Sequence, residues 1–242
     1  MPMAAVFADT QAEPFEVYNW LSFLEAKLPF PVYRVTQGSL WETLTKHRHR
    51  GDGSGTYVRQ SIPAWVDNGR GSSTPLMRGC TRDYKVHPIL RKVRELRKEH
   101  GSDRVTQWIG ISRDEAHRMK DSGVDYIDHR WPLIEKRMTR THCLEWMRDH
   151  GYPLPPRSAC VFCPYHSDIE WNRLKSLDPD SFAEAVRAEK ELQAAVMAST
   201  RPNAKELPYL HKSLKPLETI NFSIDDGQIP LFGNECEGMC GV

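Results

Sequence analysis

The sequence predicts an α/β protein built on a doubly wound, mostly parallel sheet. Short apolar runs recur along the first two thirds of the chain, and segments with helical periodicity separate them. The first two runs and the helix between them form a strand–helix–strand unit, whose size requires parallel pairing with a right-handed crossover. The 242 residues suffice for one α/β domain with a sizeable core.

The first predicted strand is residues 4–9, an apolar run that ends in an acid. Pro14 suits the first turn of a helix. The inward stripe of this helix is Val17, Leu21, Leu24 and Leu28. Residues 31–36 read as the second strand, which completes the unit.

Residues 37–80 are less regular. A helix is compatible with 36–46, whereas 47–77 is rich in Gly, Ser, Arg and Pro and is predicted to be a long loop. Loops of this length in compact domains are more often functional than idle. The GDGSGT at 51–56 superficially resembles a phosphate loop, but it follows no predicted strand and opens no clear helix.

Regular structure resumes with a helix from Lys85, a strand at 105–111 and a short apolar segment at 126–127. A helix over 139–150 ends at Gly151, which suits a C-cap.

Ser167 and Glu170 have capping-box spacing and start another helix. A last helix follows Asp178-Pro179, with Phe182, Val186, Leu192 and Val196 facing inward. We therefore predict a domain over 1–199 and a tail over 200–242.

Composition limits the class of protein. The 33 Lys and Arg balance the 32 Asp and Glu, which argues against a general polyanion binder. The N-terminus lacks the pattern of a signal peptide, and no apolar run approaches the ~18 residues of a membrane span. We expect a soluble, cytoplasmic protein without a membrane partner. The basic stretch KHRHR (46–50), which contains His47 and His49, has few aromatic residues near it in the sequence. Nucleic acid is therefore not the expected partner, although it is not excluded.

Six cysteines are present: Cys80, Cys143, Cys160, Cys163, Cys236 and Cys240. In a reducing compartment such a set indicates metal binding or redox chemistry before structural disulfides. Within RSACVFCPYH (157–166), Cys160 and Cys163 could hold a metal, cycle as a redox dithiol or pack as small apolar side chains. Pro164 follows the pair and a loop precedes it, which favours a metal over a thioredoxin-like dithiol.

Several motifs occur in the order of a known family. They are VFADTQAE (6–13), CTRDYKVHPI (80–89), WIGISRDEAHR (108–118), WPL (131–133), ACVFCP (159–164) and a cysteine in an acidic tail. With them the chain resembles the phosphoadenosine phosphosulfate (PAPS) reductases and adenosine phosphosulfate (APS) reductases of the adenine-nucleotide α-hydrolase fold. The resemblance covers roughly 4–166. It implies redox or sulfur-transfer chemistry on an adenine sulfonucleotide, with a thioredoxin-like reductant as partner.

Two departures from the family pattern stand out. The first strand of the family normally ends in a Ser-Gly-Gly-x-Asp-Ser phosphate loop, which has no counterpart here, so the usual first strand is expected to be missing. Iron–sulfur members carry adjacent cysteines where this chain has Gly79-Cys80. Without the phosphate loop, binding of a nucleotide in the usual manner is in question.

The resemblance also implies a metal centre. Four thiolates suit either zinc or a [4Fe–4S] cluster, and the family favours the cluster. Cys80, Cys160 and Cys163 are the expected ligands, and Cys143 is the preferred fourth ligand, with Cys236 and Cys240 as alternatives. A cluster held by three cysteines with an open iron also stays open.

The tail cysteines Cys236 and Cys240 are the candidate nucleophiles, because a tail cysteine of the reductases attacks the sulfonate sulfur. The neighbouring Glu235 and Glu237 should disfavour a thiolate there. Metal ligation or resolution of each other as a disulfide are alternative roles.

The resemblance places one acid and several cations beside the nucleotide, which is PAPS, APS or ATP. These residues are Asp9, Arg82, Lys85, Arg113, Arg118 and Arg157. Two other functions stay open: ATP-dependent insertion of sulfur into tRNA or DNA, and a non-catalytic accessory role beside CRISPR loci or mobile elements. A homodimer also stays open.

Overall fold

The computed structural model describes residues 1–200 and 207–222. Over these residues the chain is a mixed α/β protein. Its strands are β1 (Ala5–Asp9), β2 (Val32–Thr36), β3 (His47–His49), β4 (Thr56–Val58), β5 (Trp65–Asp67), β6 (Ser73–Pro75), β7 (Val105–Trp108) and β8 (Ile127–Arg130). Its α-helices are α1 (Phe15–Lys27), α2 (Leu40–Thr45), α3 (His87–Glu99), α4 (Pro132–Glu135), α5 (Arg140–Asp149), α6 (Asp168–Leu177) and α7 (Pro179–Met197). A π-helix spans Thr81–Val86, and short 3-10 helices span Arg113–Arg118 and Leu217–Thr219.

The predicted strand–helix–strand unit is confirmed. β1 pairs in parallel with β2, with Ala5 opposite Val32 and Asp9 opposite Thr36, and α1 makes the crossover. Val17 and Leu21 are the buried residues of α1 because their spacing places both on one side of the helix.

A second parallel pair joins β7 and β8. β7 ends earlier than the predicted 105–111. Its last ladder bond is donated by the Ile109 amide to the Arg130 carbonyl at 2.9 Å. β8 ends at Arg130 and α4 begins at Pro132, so residues 110 and 111 have no strand beside them to pair with.

The described strands form four separate two-stranded sheets. The α/β class is therefore correct for the described residues, whereas one continuous doubly wound sheet is not observed in them.

Residues 47–77 do not form the predicted loop. They form two antiparallel hairpins, β3–β4 and β5–β6. The GDGSGT motif is the turn of the first hairpin, in which the Arg50 amide donates to the Gly55 carbonyl at 2.8 Å. These strands were missed because each spans three residues and carries charged or polar side chains, which leaves too short a period-2 pattern to recognise.

The core lies between α2, α6, α7 and the loop that contains Cys160 and Cys163. Trp171 and Phe162 are its largest fully buried side chains. Phe182 and Leu192 of α7 face this core as predicted. Ser167 caps α6 as predicted, with its hydroxyl accepting a hydrogen bond from the Glu170 amide.

Residues 207–222, which fall in the predicted tail, pack against the same core. Leu210 and Leu217 are fully buried. Both of their backbone amides donate to the buried carboxylate of Glu189, at 2.8 and 2.7 Å. Burial raises the pKa of Glu189, and the two amide hydrogen bonds oppose that rise.

None of the helices in the described part of the chain combines the length and the apolar character that a membrane-spanning helix requires.

Candidate functional site

The loop with Cys160 and Cys163 is anchored from its middle. Val161 and Phe162 are buried in the core, with Phe162 at 0 % exposure. The Val161 amide donates to the Ala12 carbonyl at 2.8 Å, which ties the loop to the chain just beyond β1. The Cys163 amide closes a turn onto the Cys160 carbonyl at 2.9 Å. The apolar pair between the cysteines thus holds both at the edge of the core.

Cys160 lies beside two residues that are distant in the sequence. Its Sγ is 3.2 Å from Oγ1 of Thr10, a residue that is almost fully buried. Cys80 is an electrostatic neighbour of the same thiol. The backbone of Cys80 is held in place because its amide donates to the Ser61 carbonyl at 2.7 Å. Cys80, Cys143, Cys160 and Cys163 are all free thiols.

A buried ion pair supports this group. The Glu13 side chain has 0 % exposure, and its Oε1 is 3.5 Å from Nζ of Lys85. The Ser158 hydroxyl donates to Oε2 of Glu13 at 3.0 Å. We name Thr10, Glu13, Cys80, Lys85 and Cys160 the cysteine cluster. Lys85 therefore has a carboxylate partner within the protein, rather than standing ready for a ligand.

The thiol of Cys160 is held neutral. Burial first, and then the negative charge of Glu13, raise its pKa from the ordinary 9.0 to about 12, while Lys85 and the Thr10 hydroxyl oppose the rise. A thiol with this pKa is a poor nucleophile at neutral pH.

The predicted metal centre is not complete within the described residues. Among residues 1–200 and 207–222, no group of three or more His, Cys, Asp or Glu side chains is arranged so that it could hold a metal ion. Cys143 has different neighbours, Asp114 and Arg140. Cys236 and Cys240 lie outside the described residues. The ligand set of Cys80, Cys143, Cys160 and Cys163, for a [4Fe–4S] cluster or zinc, stays a prediction.

Asp9 ends β1, as the sequence predicts, and makes two internal hydrogen bonds. Its Oδ1 accepts from the Gln11 amide at 2.7 Å and from the Tyr18 hydroxyl at 2.9 Å. Burial, and then the hydrogen bond to Asp9, raise the pKa of Tyr18. Asp9 thus orients the turn after β1, where Gln11 has a positive φ of 57°.

A cavity of about 350 Å³ is lined in part by residues 155–158, which precede Cys160 in the loop of Cys160 and Cys163. Its polar lining consists mainly of Ser112, Glu115, Arg118, Arg140, Arg157 and Ser158, and Cys143 also faces it. Gly110 and Ser112 follow the carboxyl end of β7, which is where parallel α/β sheets bind ligands. We name this space the arginine cavity.

The cations of the arginine cavity are positioned by neighbouring acids. Arg118 pairs with Glu115, and its side chain is 14 % exposed. Asp114 accepts hydrogen bonds from the backbone amide of Arg140, at 3.1 and 3.2 Å, and so caps the start of α5.

Arg157 also lines this cavity. Its Nη2 is buried without a hydrogen-bond partner among the described residues. A buried guanidinium nitrogen without an acceptor is costly, so this atom is suited to an anionic ligand.

Cys143 faces the arginine cavity from α5. Burial and the nearby Asp114 raise its pKa, and Arg140 opposes the rise. The net effect keeps Cys143 in the thiol form.

The other two predicted cations lie apart from the cavity lining. Arg82 is exposed, and its Nε donates to Asp83 at 2.9 Å. Arg113 is exposed, and its backbone amide donates to the Met138 carbonyl at 2.8 Å. The structure thus brings Arg118 and Arg157 into one cavity, whereas it leaves Arg82 and Arg113 outside.

His166 was not predicted as a site residue. It is 6 % exposed, it packs edge-on against Trp171 at 4.6 Å between ring centroids, and neither ring nitrogen has a hydrogen-bond partner among the described residues. Burial first, and then the charges of Arg157 and Arg173, hold its pKa well below 6.5. The sequence feature that could have identified His166 as a site residue is its position three residues after Cys163.

Comparison of the chain with protein-family models, with curated proteins and with solved structures gave no match.

Proposed function

We propose that this protein binds the phosphate and sulfate groups of an adenine sulfonucleotide, PAPS or APS, in the arginine cavity and carries out redox or sulfur-transfer chemistry on it. The observation that carries the proposal is the buried Nη2 of Arg157, which has no hydrogen-bond acceptor among the described residues. Two further arginines, Arg118 and Arg140, line the same cavity. Planar guanidinium groups match the paired oxygens of phosphate and sulfate. The volume is within the range of small-molecule sites.

The position of the cavity supports the same proposal. It lies beyond the carboxyl end of β7, and part of its lining comes from WIGISRDEAHR (108–118), a segment that resembles the reductases. Ser158 joins it to the cysteine cluster, because this residue lines the cavity and also donates to Glu13. A ligand bound by Arg157 would therefore lie close to the loop of Cys160 and Cys163.

The proposed reaction uses a tail cysteine, Cys236 or Cys240, as the nucleophile. Its thiolate attacks the sulfonate sulfur, an S–S bond forms, and the S–O bond to the phosphate breaks so that the nucleotide leaves with the electron pair. A thiol reductant of the thioredoxin class then releases sulfite and is itself oxidised to a disulfide. Cys143 is disfavoured as the nucleophile because its pKa is raised.

The same proposal includes a doubly wound parallel sheet as the fold and the cytoplasm as the cellular location. The two parallel pairs, β1–β2 and β7–β8, each fit one half of a doubly wound sheet. Thiol chemistry with free cysteines fits the reducing cytoplasm.

Titration calorimetry with PAPS, APS, ATP and adenosine tests the proposal. We expect the sulfonucleotides to bind and adenosine, which lacks the anionic groups, to bind far more weakly. Arg157→Ala should lower the affinity for PAPS by about 10- to 100-fold, because a hydrogen bond to a charged group is worth about 1.5–3 kcal/mol.

Arg148→Ala is the matched control. Its side chain is 72 % exposed on α5 and does not line the cavity, so the affinity should not change. If the protein binds no sulfonucleotide, or if Arg157→Ala and Arg148→Ala bind PAPS equally, the proposal is wrong. Stronger binding of ATP than of PAPS would favour sulfur insertion driven by ATP instead.

A further inference from the structure

Positive charge is concentrated in one segment of the chain. Residues 46–78 contain six Lys and Arg against two Asp, whereas the remaining residues contain 27 Lys and Arg against 30 Asp and Glu. The near-zero net charge of the whole protein therefore conceals a basic segment. This segment forms the β3–β4 and β5–β6 hairpins.

The cations of the hairpins are largely uncompensated. Arg59 pairs with Asp83 at 2.7 Å. By contrast, Lys46, Arg48, Arg50 and Arg70 make no ion pair with the residues that the structure describes. Arg50 and Arg70 are exposed, at the turn of the first hairpin and at the tip of the second. Asp52, in the turn of the first hairpin, offsets part of the charge of Arg50, which lowers the pKa of Asp52 after its hydrogen bonds with Ser54 do. Even so, cations outnumber acids in this segment, and such a cluster of like charges favours binding of a polyanion.

Aromatic rings lie among these cations. The Arg50 guanidinium lies 5.5 Å from the centroid of the Tyr57 ring. The Arg78 guanidinium lies at the same distance, 5.5 Å, from the Tyr165 ring. Trp65 meets Tyr165 edge-on at 6.4 Å. Tyr57, Trp65 and Tyr165 are half-buried, so part of each remains available for a ligand.

The hairpins are joined directly to the loop of Cys160 and Cys163. The indole nitrogen of Trp65 donates to the Pro164 carbonyl at 3.0 Å. The carbonyl of Ser61, between the hairpins, accepts from the Cys80 amide at 2.7 Å. A polymer bound along the hairpins would therefore pass close to the cysteine cluster.

We propose that the two hairpins form a binding surface for single-stranded nucleic acid. Basic side chains that follow a phosphate backbone, together with aromatic rings on which bases stack, are the features that bind single strands without sequence preference. A duplex would hide the base faces that these rings need. The proposal does not depend on the nucleotide in the arginine cavity.

Fluorescence anisotropy with a labelled oligodeoxythymidine of about 20 nucleotides tests the proposal. At low salt we expect a Kd on the order of 10 µM, with the affinity falling as salt is raised from about 50 to about 200 mM. The double variant Arg50→Ala/Arg70→Ala should bind about tenfold more weakly. Its slope of log K against log salt should be shallower by roughly 1.4, since each phosphate contact to a single strand contributes about 0.7.

Arg94→Ala/Lys98→Ala is the matched control. It removes two exposed cations from α3, outside the hairpins, and should leave both the affinity and the salt slope unchanged. Arg157→Ala should likewise leave oligonucleotide binding unchanged, which separates this surface from the arginine cavity. The side chains of Arg50 and Arg70 make no hydrogen bond within the described residues, so their variants should fold, which circular dichroism checks.

Three results would overturn the proposal. The first is an unchanged affinity in Arg50→Ala/Arg70→Ala. The second is equal binding of a duplex of the same length. The third is binding to vesicles of anionic phosphatidylserine, lost in the same variant, without binding to the oligonucleotide, which would make the surface a membrane contact.

Discussion

The cysteine cluster and the arginine cavity share one loop, residues 155–163, and they differ in how completely their buried polar groups are paired. In the cysteine cluster, Glu13 meets Lys85 and Ser158, and Cys160 meets Thr10. In the arginine cavity, a buried nitrogen of Arg157 has no acceptor among the described residues. The difference supports the proposal that an anion binds in the cavity, because buried polar groups left unsatisfied are costly unless a ligand completes them.

The largest expected effect concerns the thiol of Cys160. A rise in its pKa from 9.0 to about 12 lowers its thiolate fraction near pH 8 by about a thousandfold. Alkylation by iodoacetamide, followed residue by residue with mass spectrometry on chelator-treated protein, should therefore be slower at Cys160 than in the urea-unfolded chain by a factor of that order.

Alkylation of Cys160 at the unfolded-chain rate would show that the cluster does not hold its thiol neutral. Iron, zinc and acid-labile sulfide should be measured on the same protein before chelation, after purification without oxygen. Iron with sulfide would support the predicted cluster, and zinc without sulfide would support a structural metal site.

The next effect is on stability. Glu13→Gln should lower the free energy of unfolding by about 2–3 kcal/mol, because the partly buried charge of Lys85 would lose the buried carboxylate that it faces. This range is below that of a fully buried pair because Lys85 is 21 % exposed. Urea unfolding measures the change.

Glu25→Gln is the control for Glu13→Gln. It breaks an ion pair with Arg34 at the surface, where solvent screens the charges, so the loss should be much smaller. Equal losses in the two variants would contradict the supporting role of the cysteine cluster.

The smallest effect is a dependence of stability on pH through His166. Its pKa in the folded protein lies well below 6.5, so the unfolded chain takes up a proton first as the pH falls. The stability contributed by neutral His166 is therefore present above about pH 6.5 and is lost below it, by at most about 1.4 kcal/mol per pH unit. Urea unfolding between about pH 7 and pH 5 measures this slope.

His166→Phe, which keeps a ring against Trp171 and cannot titrate, should reduce the slope, whereas His100→Phe at an exposed position should not. An unchanged slope in His166→Phe would show that His166 does not stay neutral beside Arg157 and Arg173.

Elements with a long apolar pattern could be predicted from the sequence. β1, α1 and β2 were predicted with their parallel pairing, and α5, α6 and α7 were predicted with their starts or ends, since Gly151, Ser167 and Asp178 act locally. The hairpins at 47–75 could not be recognised, because each of their strands spans only three residues. Their stability comes from contacts with the rest of the protein, such as the pairing of Trp65 with Tyr209.

By itself the sequence determined the α/β class and the parallel β1–β2 unit, and it singled out the loop with Cys160 and Cys163 as a candidate site. It also supplied the cations, but most Lys and Arg look alike in a sequence. Only the tertiary structure decided that Lys85 meets Glu13, that Arg82 meets Asp83 and that Arg157 has a nitrogen without an acceptor in the described residues. The physical reason is that pairing and burial depend on residues far apart in the chain, such as Glu13 and Ser158, and no local pattern records those distances.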